Sequence, residues 1–186
     1  MRSGGFYDAM LLVWREKRRQ DAIRPTSLIN HLYRDRTIRI WGGPGKGTVQ
    51  MNGKTFTHYI GVQPHQGYPS ASARFCQYYA DIISLFVKTS KVKIDRVIKA
   101  GSSKIKPSLP SKDFTIKIRD LQKDIADSCS ESRINAGLHF RPAVTEGRRL
   151  VEGIAEEIFQ RVACLAPTND MLPLCKDPRF GEEYQN

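Results

Sequence analysis

The sequence predicts an all-α protein, a helical bundle into which a small β-hairpin is inserted near residues 47–58. Apolar residues recur at three- and four-residue intervals in several segments, the spacing of one helix face. Asn52-Gly53, between alternating residues, is typical of a type I′ hairpin turn. Because 186 residues fit one domain, we assign residues 1–166 to the helical core and residues 167–186 to an irregular C-terminal tail.

Two helices are expected before the hairpin. The first covers residues 6–23, and its apolar side chains at helical spacing are Phe6, Met10, Val13 and Trp14. It ends before Arg24-Pro25, because proline disfavours helical geometry in the residue that precedes it. A short helix at residues 26–33 follows.

Three helices are expected after the hairpin. The first begins after Tyr68-Pro69-Ser70 and should be a core helix, with an apolar stripe formed by Phe75, Tyr79, Ile82, Ile83 and Phe86. The next covers about residues 116–138. The last covers residues 147–163, with Thr145 as its N-cap and one face formed by Leu150, Ile154, Ile158 and Val162.

The chain is strongly basic, with a formal charge of +11, which favours anionic partners. Residues 88–123 hold eleven basic and three acidic residues among glycines, serines and prolines, and we interpret them as a solvated basic loop rather than a nucleic-acid surface. We find neither a signal peptide nor an apolar stretch long enough to span a membrane, and the compartment stays open. The four cysteines lack zinc-site spacing and should be buried thiols, although Cys164 and Cys175 are able to pair in an oxidising compartment.

The first of three short clusters contains Lys17 and Arg24-Pro25. Seven residues correspond to about 700° of helical rotation and roughly 10.5 Å of rise, so both cations lie within about 20° of one helix face. Two long cations on one face can reach the same anion. Taken alone, the pair is more typical of a solvated basic face.

The second cluster, Ser70-Ala71-Ser72, lies where a loop enters the third helix. A helix N-terminus offers unpaired backbone N–H groups and a positive dipole end, and the two hydroxyl groups add donors at the same place. An oxyanion is able to bind there. Taken alone, simple capping by serine explains the pattern better.

The third cluster contains Ser132-Arg133 and His139. The guanidinium of Arg133 is a planar fork of donors that suits an oxyanion, and a neutral imidazole can act as nucleophile or metal ligand. Six residues on an ideal helix would place the two side chains on different faces unless Gly137 loosens the last turn. A structural role for a single histidine near a helix end is the alternative.

Together the three clusters resemble the signature of the vanadium-dependent haloperoxidases and the related PAP2-type acid phosphatases. That signature reads Lys, six residues, Arg-Pro; then Pro-Ser-Gly-His; then Ser-Arg, five residues, His. Its first and third parts are complete here, in Lys17, Arg24 and Pro25 and in Ser132, Arg133 and His139. The second part reads Pro69-Ser70-Ala71-Ser72, so two of its four positions differ. The resemblance covers about residues 6–160.

The resemblance implies a helical bundle that binds vanadate as cofactor, with hydrogen peroxide as co-substrate and halide as the species oxidised. A small organic molecule is a further substrate that it allows. The implied ligands of the anion are Lys17, Arg24, Ser70, the backbone N–H of Ala71, Arg133 and His139. Among these, His139 would bond directly to the vanadium and Lys17 would polarise the peroxide.

The chain departs from the family pattern at positions that affect catalysis. Ser72 stands where the family has an acid–base histidine, and loss of such a group typically costs about 10² to 10⁴ in rate. Ala71 replaces glycine, and Ala143 stands where phosphatases commonly have an aspartate that orients the nucleophilic histidine. His65 lies five residues before Ser70, as in the algal bromoperoxidase branch, and is a candidate for the missing proton relay.

We therefore expect a vanadate-binding, haloperoxidase-like protein whose activity Ser72 weakens. The alternatives are a phosphatase on the same scaffold, with His139 as nucleophile, and a non-catalytic anion-binding relative. Family members usually carry further helices ahead of the first motif, whereas only sixteen residues precede Lys17 here. We expect a preceding region or a dimer partner to cover part of the bundle, and neither a membrane nor nucleic acid to be the partner.

Overall fold

Six α-helices and two β-hairpins form the part of the chain that the computed structural model describes, which is residues 2–104, 106, 108–165 and 175. The helices are α1 (Arg2–Gln20), α2 (Pro25–Leu32), α3 (Ala71–Val87), α4 (Ser128–Asn135), α5 (Arg141–Arg149) and α6 (Ile154–Leu165). The strands are β1 (Thr37–Trp41), β2 (Thr48–Asn52), β3 (Lys91–Ile98) and β4 (Phe114–Asp120). A π-helical segment, Leu121–Asp127, leads into α4.

Helix α3 lies at the centre of the bundle, in contact with α1, α4, α5, α6 and the π-helical segment. Its Tyr78 is 1% exposed and packs with Ala9 of α1 and Phe159 of α6. Gly5 allows this close approach, because a Cβ there would lie 2.1 Å from Cδ1 of Ile158 and 2.2 Å from the Tyr78 hydroxyl oxygen. The predicted helical bundle is confirmed, with its core around α3.

The buried face of α3 differs from the predicted stripe. Tyr79 is 37% exposed and Phe86 is 64% exposed, whereas the small residues Ala73 and Ala80 are fully buried. Because α3 has neighbours on several sides, its buried residues are not confined to one stripe: Tyr78 is buried next to the exposed Tyr79, and of the predicted stripe only Ile82 is buried. Apolar spacing identifies such a helix but does not reveal which of its residues face inward.

The first hairpin is present, but its strands and turn differ from the prediction. Strand β1 pairs with β2 in the antiparallel register Thr37↔Asn52 to Trp41↔Thr48, so the hairpin covers residues 37–52 and its turn covers residues 42–47. Gly43, Gly45 and Gly47 supply the positive φ angles of that turn. The predicted turn at Asn52-Gly53 is wrong: the Asn52 side chain accepts from the Lys54 N–H at 2.8 Å and opens a 3₁₀ turn.

A second hairpin occupies much of the segment predicted to be a basic loop. Strands β3 and β4 pair antiparallel, with Ile94 opposite Ile118 and Ile98 opposite Phe114. The predicted helix from residue 116 is therefore wrong in its first part, and helical structure begins at Leu121. The alternation of Phe114, Ile116 and Ile118 with polar residues is a strand pattern that the surrounding lysines obscured.

The last predicted helix is two helices. Residues 150–153 separate α5 from α6, and Gly153 adopts a φ of +79°, a left-handed conformation that interrupts helical geometry. Thr145 lies inside α5 and is not an N-cap, which corrects the prediction. Apart from Cys175, the tail that we assigned to residues 167–186 lies outside the described residues. No helix within the described ranges has the length and apolar composition that crossing a lipid bilayer requires.

All four cysteines form disulfides, which corrects the expectation of buried thiols. Cys76 of α3 bonds Cys129 of α4, and Cys164 of α6 bonds Cys175, the pair that the sequence allowed. Cys76 lies six residues after Ser70, and Cys129 lies four residues before Arg133. The first disulfide therefore connects the helices that carry the second and third sequence clusters.

Removal of the two disulfides should have unequal effects on stability. The bonded cysteines are separated by 53 residues in Cys76–Cys129 and by 11 in Cys164–Cys175, so loop-closure entropy predicts losses of about 4 and about 3 kcal/mol in unfolding free energy. Urea unfolding of the Cys76→Ser/Cys129→Ser and Cys164→Ser/Cys175→Ser proteins measures both losses. A larger loss in the second protein would contradict the prediction.

Candidate anion-binding site

Lys17 lies in the last turn of α1 and is fully buried. Its ammonium group donates to the backbone oxygen of Gln66 at 2.7 Å. Burial, with a further contribution from the nearby Arg24 charge, lowers the pKa of Lys17 to about 8. The first cation of the predicted site thus points into the protein interior, not into solvent.

Arg24 joins the first and third sequence clusters. It caps α2 in an extended conformation and is 6% exposed. Nη1 donates to the backbone oxygen of Leu138 at 2.9 Å and to Nε2 of His139 at 3.2 Å. Nε and Nη2 donate to the backbone oxygen and Nδ1 of His65, both at 3.0 Å. Burial, with Arg133 nearby, lowers the pKa of Arg24. The first and third clusters therefore meet in space.

His139 is held as a neutral imidazole with one defined tautomer. Its Nδ1 lies 2.6 Å from the backbone oxygen of Gly67, which can only accept, so the ring proton resides on Nδ1. Nε2 keeps its lone pair and faces Arg24. Burial, and to a smaller degree the charges of Arg24, Lys17 and Arg133, lowers the pKa of His139 to about 3.

The geometry removes two difficulties that the sequence raised for His139. Gly137 ends the helical turn after α4 with a φ of +71°, so the imidazole is not confined to the ideal helical position six residues after Arg133. The carbonyl group of Gly67 does the orienting that an aspartate at the Ala143 position would do. The lone pair of His139 is therefore on Nε2, where it accepts from Arg24.

Ser70 is fully buried at the N-terminus of α3. Its backbone N–H donates to the Ala143 oxygen at 2.8 Å, and its Oγ accepts from the Ala73 N–H at 3.2 Å. The hydroxyl proton is left to donate to another group. Ala71 and the half-buried Ser72 follow in the first turn, where helical N–H groups have no partner within the helix. The N-terminus of α3 is thus fixed against α5.

Gly147 fixes the same contact from α5. A Cβ at this position would lie 2.3 Å from the backbone oxygen of Ser70, closer than two such atoms can approach. Only glycine therefore lets α5 pack directly on the second cluster. The sequence contained no pattern that distinguished this glycine from the others.

Arg133 supplies the third cation. Its Nε is buried and has no hydrogen-bond partner, and burial lowers the pKa of its guanidinium. Among the described residues, the ion pairs join other side chains, and none includes Lys17, Arg24 or Arg133. Burying cations without a counterion is costly, so the cluster fits an oxyanion such as vanadate or phosphate.

The site does not have the composition of a site for a bare metal cation. Within the described ranges, no group of three or more His, Cys, Asp and Glu residues is placed to hold one. A single imidazole surrounded by ammonium and guanidinium groups suits a metal that arrives with its own oxygen ligands. Vanadate has that composition.

Two further histidines border the site. His65, a candidate from the sequence, contacts Arg24, and its ring centroid lies 5.1 Å from that of Trp14. Because a guanidinium only donates, Nδ1 of His65 accepts from Arg24 at 3.0 Å. Nδ1 also lies 3.2 Å from the Gln66 oxygen, and we assign its lone pair to the shorter contact. Burial lowers the pKa of His65.

His58 is the residue that sequence reasoning missed. Its Nε2 lies 2.5 Å from Oγ1 of Thr26, and its Cβ lies 3.4 Å from where a Gly137 Cβ would be. Burial lowers the pKa of His58, and the charge of Arg24 adds to this effect. His58 belongs to no sequence motif. The only indication in the sequence was that Thr26, the partner of His58 in the structure, directly follows Arg24-Pro25.

Comparisons with known proteins find matches to the sequence and to the fold. Residues 1–166 match the family model described as the VCPO second helical-bundle domain. The fold is similar to a holo-type bacterial vanadium-dependent chloroperoxidase, with a TM-score of 0.74 and 30% sequence identity over 82% of this chain and 32% of that chain. An apo-type bacterial vanadium-dependent chloroperoxidase matches equally, over 84% of this chain and 35% of that chain.

The extent of these matches is partial. The chain spans about a third of the length of the chloroperoxidases it resembles. A search of curated proteins finds no match.

The lowered pKa of His139 makes stability depend on pH. The unfolded chain, with a histidine pKa of 6.5, takes up the proton before the folded chain does, so stability is lost as pH falls from about 6.5 toward 3. Between about pH 7 and about pH 5, His139 should account for a loss of about 2 kcal/mol in unfolding free energy.

Urea unfolding at both pH values measures this loss as the difference between the wild type and His139→Gln. His31→Gln, which changes an exposed histidine of α2, is the control and should behave like the wild type. Equal losses in the wild type and in His139→Gln would mean that the imidazole is not held neutral.

Proposed function

Because this chain belongs to the vanadium haloperoxidase superfamily, as a VCPO second helical-bundle domain, we propose that it binds vanadate and oxidises halide with hydrogen peroxide. The observation that carries this proposal is the cluster of the buried Lys17 and Arg24 and the half-buried Arg133 around the neutral His139, with none of the three in an ion pair among the described residues. Such a cluster needs an anion to balance its charge, and its imidazole has one nitrogen lone pair to offer.

Each residue of the cluster has a proposed role in holding the cofactor. Lys17, Arg24 and Arg133 neutralise the vanadate oxygens, and the Ser70 hydroxyl and the Ala71 N–H donate hydrogen bonds to them. Nε2 of His139 bonds the metal, and the Gly67 carbonyl keeps the proton on the opposite nitrogen. When bound, vanadate supplies the Lewis acidity that activates hydrogen peroxide toward halide.

Proton transfer is the weakest part of the proposed machinery. Ser72 cannot exchange protons near neutral pH, unlike the histidine that the family has at this position. Lys17, with its pKa of about 8, remains a donor close to neutral pH. His65 is proposed as a substitute relay, since it contacts Arg24 at the edge of the site. We therefore propose a reduced turnover and not a loss of vanadate binding.

A phosphatase on the same scaffold is the second candidate. Phosphate has the charge and shape of vanadate, and Nε2 of His139 is positioned as a nucleophile by the same carbonyl group. The Gly67 contact favours this candidate, because it compensates for Ala143 in place of an orienting aspartate. A relative that binds the anion without catalysis would use the same cluster with no acid–base group.

Part of the bundle surface is proposed to be covered by another structural unit. Phe6, Tyr7 and Leu11 of α1 are 42%, 63% and 52% exposed, which is unusual for a helix that belongs to a bundle core. The chain spans only about a third of the chloroperoxidases that it resembles. We propose that a preceding region of a longer protein or a second copy of the chain packs on this face.

Orthovanadate should stabilise the protein through the buried cations. At a free concentration about one hundred times the dissociation constant, the unfolding free energy should rise by about 2.7 kcal/mol. Arg133→Ala should lose this stabilisation, whereas Arg161→Ala, which removes an exposed arginine of α6, should keep it. Thermal unfolding with and without orthovanadate provides the measurement, and equal stabilisation of both variants would contradict the proposed site.

Restoring the acid–base histidine should raise haloperoxidase activity. With vanadate, hydrogen peroxide and bromide, the wild type should brominate a dye slowly, and Ser72→His should increase the rate by about 10² or more if the group acts in proton transfer. Ser128→His, which adds a histidine at an exposed site, is the control. No bromination above background by either Ser72→His or the wild type would overturn the haloperoxidase proposal.

A further inference from the structure

A small cavity of about 260 Å³ lies beside the first hairpin, outside the anion-binding site. Trp41 and Val49 come from the two strands, and His58 and Tyr59 come from the chain that follows. Small-molecule sites are usually about 300 to 1,000 Å³, so this cavity has room for about one ring and its substituents.

The walls of the cavity suit a flat aromatic molecule. The rings of Trp41 and Tyr59 meet edge to face, with centroids 5.2 Å apart and planes inclined at 60°. Trp41 is 55% exposed, although a large aromatic side chain is usually covered in a stable protein. Val49 and Met51 of β2 add apolar surface to the lining, next to Ile40, the strand partner of Val49. An aromatic ring in the cavity would cover Trp41.

The charge around the cavity favours an anionic molecule. Nζ of Lys106 lies 5.1 Å from the centroid of the Tyr59 ring, which lines the cavity. The chain as a whole carries a formal charge of +11, and the neighbouring anion site holds the buried Lys17 and Arg24. A carboxylate or phenolate on the ring would lie in a positive potential.

His58 lines the cavity and lies close to two segments that carry anion-site residues. It contacts Thr26, two residues after Arg24. Its Cβ and ring atoms lie within 3.4 to 4.0 Å of the position that a Gly137 Cβ would take, two residues before His139. A molecule in the cavity would therefore lie next to the segments that carry Arg24 and His139.

We propose that this cavity binds a single-ring aromatic acid, such as a hydroxybenzoate, as the organic substrate of the neighbouring site. The role as substrate rests on the proposed haloperoxidase function. Hypohalous acid formed there would transfer its halogen to a ring carbon, which supplies the electron pair. The ring proton would leave and combine with the hydroxide released from the halogen, giving water and the halogenated ring.

Calorimetric titration of 4-hydroxybenzoate into the full chain, without vanadate, tests the cavity by itself. The wild type should bind saturably, and Trp41→Ala and Tyr59→Ala should each weaken binding by about tenfold. Trp41→Phe and Tyr59→Phe keep a ring and should retain most of the affinity, which separates loss of the cavity from loss of the fold. Phe86→Ala, which removes an exposed aromatic ring from α3, should bind like the wild type.

Two comparisons identify where the probe binds. Cyclohexanecarboxylate, which has the charge but no aromatic ring, should bind at least about tenfold more weakly. Arg133→Ala should leave 4-hydroxybenzoate binding unchanged, because Arg133 belongs to the anion site. The proposal is overturned if the wild type does not bind 4-hydroxybenzoate. It is also overturned if Arg133→Ala removes binding and Trp41→Ala does not.

The same titrations separate this inference from the proposed function. If orthovanadate fails to stabilise the protein while 4-hydroxybenzoate binding still depends on Trp41 and Tyr59, the cavity is supported and the haloperoxidase role of its neighbour is overturned. If orthovanadate binds and 4-hydroxybenzoate does not, the cavity proposal fails alone.

Discussion

The constraint on which the rest of the structure depends is that Lys17 and Arg24 are buried beside the half-buried Arg133 with no carboxylate partner among the described residues. Removing such charges from water costs several kcal/mol each, and their mutual repulsion adds to that cost. Backbone oxygens of Gln66, His65 and Leu138 compensate in part, since each accepts from a buried cation. These acceptors come from the loop before α3 and the turn after α4. Two backbone hydrogen bonds fix the loop before α3: the Gly67 N–H donates to the Ala22 oxygen after α1, and the Ser70 N–H donates to the Ala143 oxygen of α5.

The prediction that Lys17 and Arg24 share one helix face is wrong, because α1 ends at Gln20 and Arg24 caps α2. The two charges still lie close enough to interact, because the chain turns at Asp21, which has a φ of +40°. Lys17 and Arg24 were predicted to reach one anion, and His139 was expected near them only through a family resemblance. The carbonyl groups that orient these side chains could not be predicted, since the path of residues 61–69 depends on contacts with distant helices. His58 was missed for the same reason: its partner Thr26 is 32 residues away in the sequence.

The fold was predictable where one helix face is apolar and the period is regular. It was not predictable where surface charge hides alternation, as in β3 and β4, or where a helix is surrounded, as with the outward Phe86 of α3. The bond between Cys76 and Cys129 joins residues 53 apart, and no sequence pattern specifies such a pairing. Helix ends were also poorly specified, because Gly153 divides a segment whose apolar spacing continues on both sides.

The acceptor for Nδ1 of His139 is part of the main chain, so substitutions of neighbouring side chains during evolution do not remove it. A carboxylate in that position could be lost by a single codon change. It would also stop orienting the imidazole once acid protonated it. The carbonyl oxygen of Gly67 has no titration of its own in the biological range, and it stays in place as long as this position is glycine, because a Cβ there would lie 2.7 Å from the Ile23 oxygen. The tautomer of His139 is thus inherited with the path of the backbone and is insensitive to the drift of neighbouring side chains.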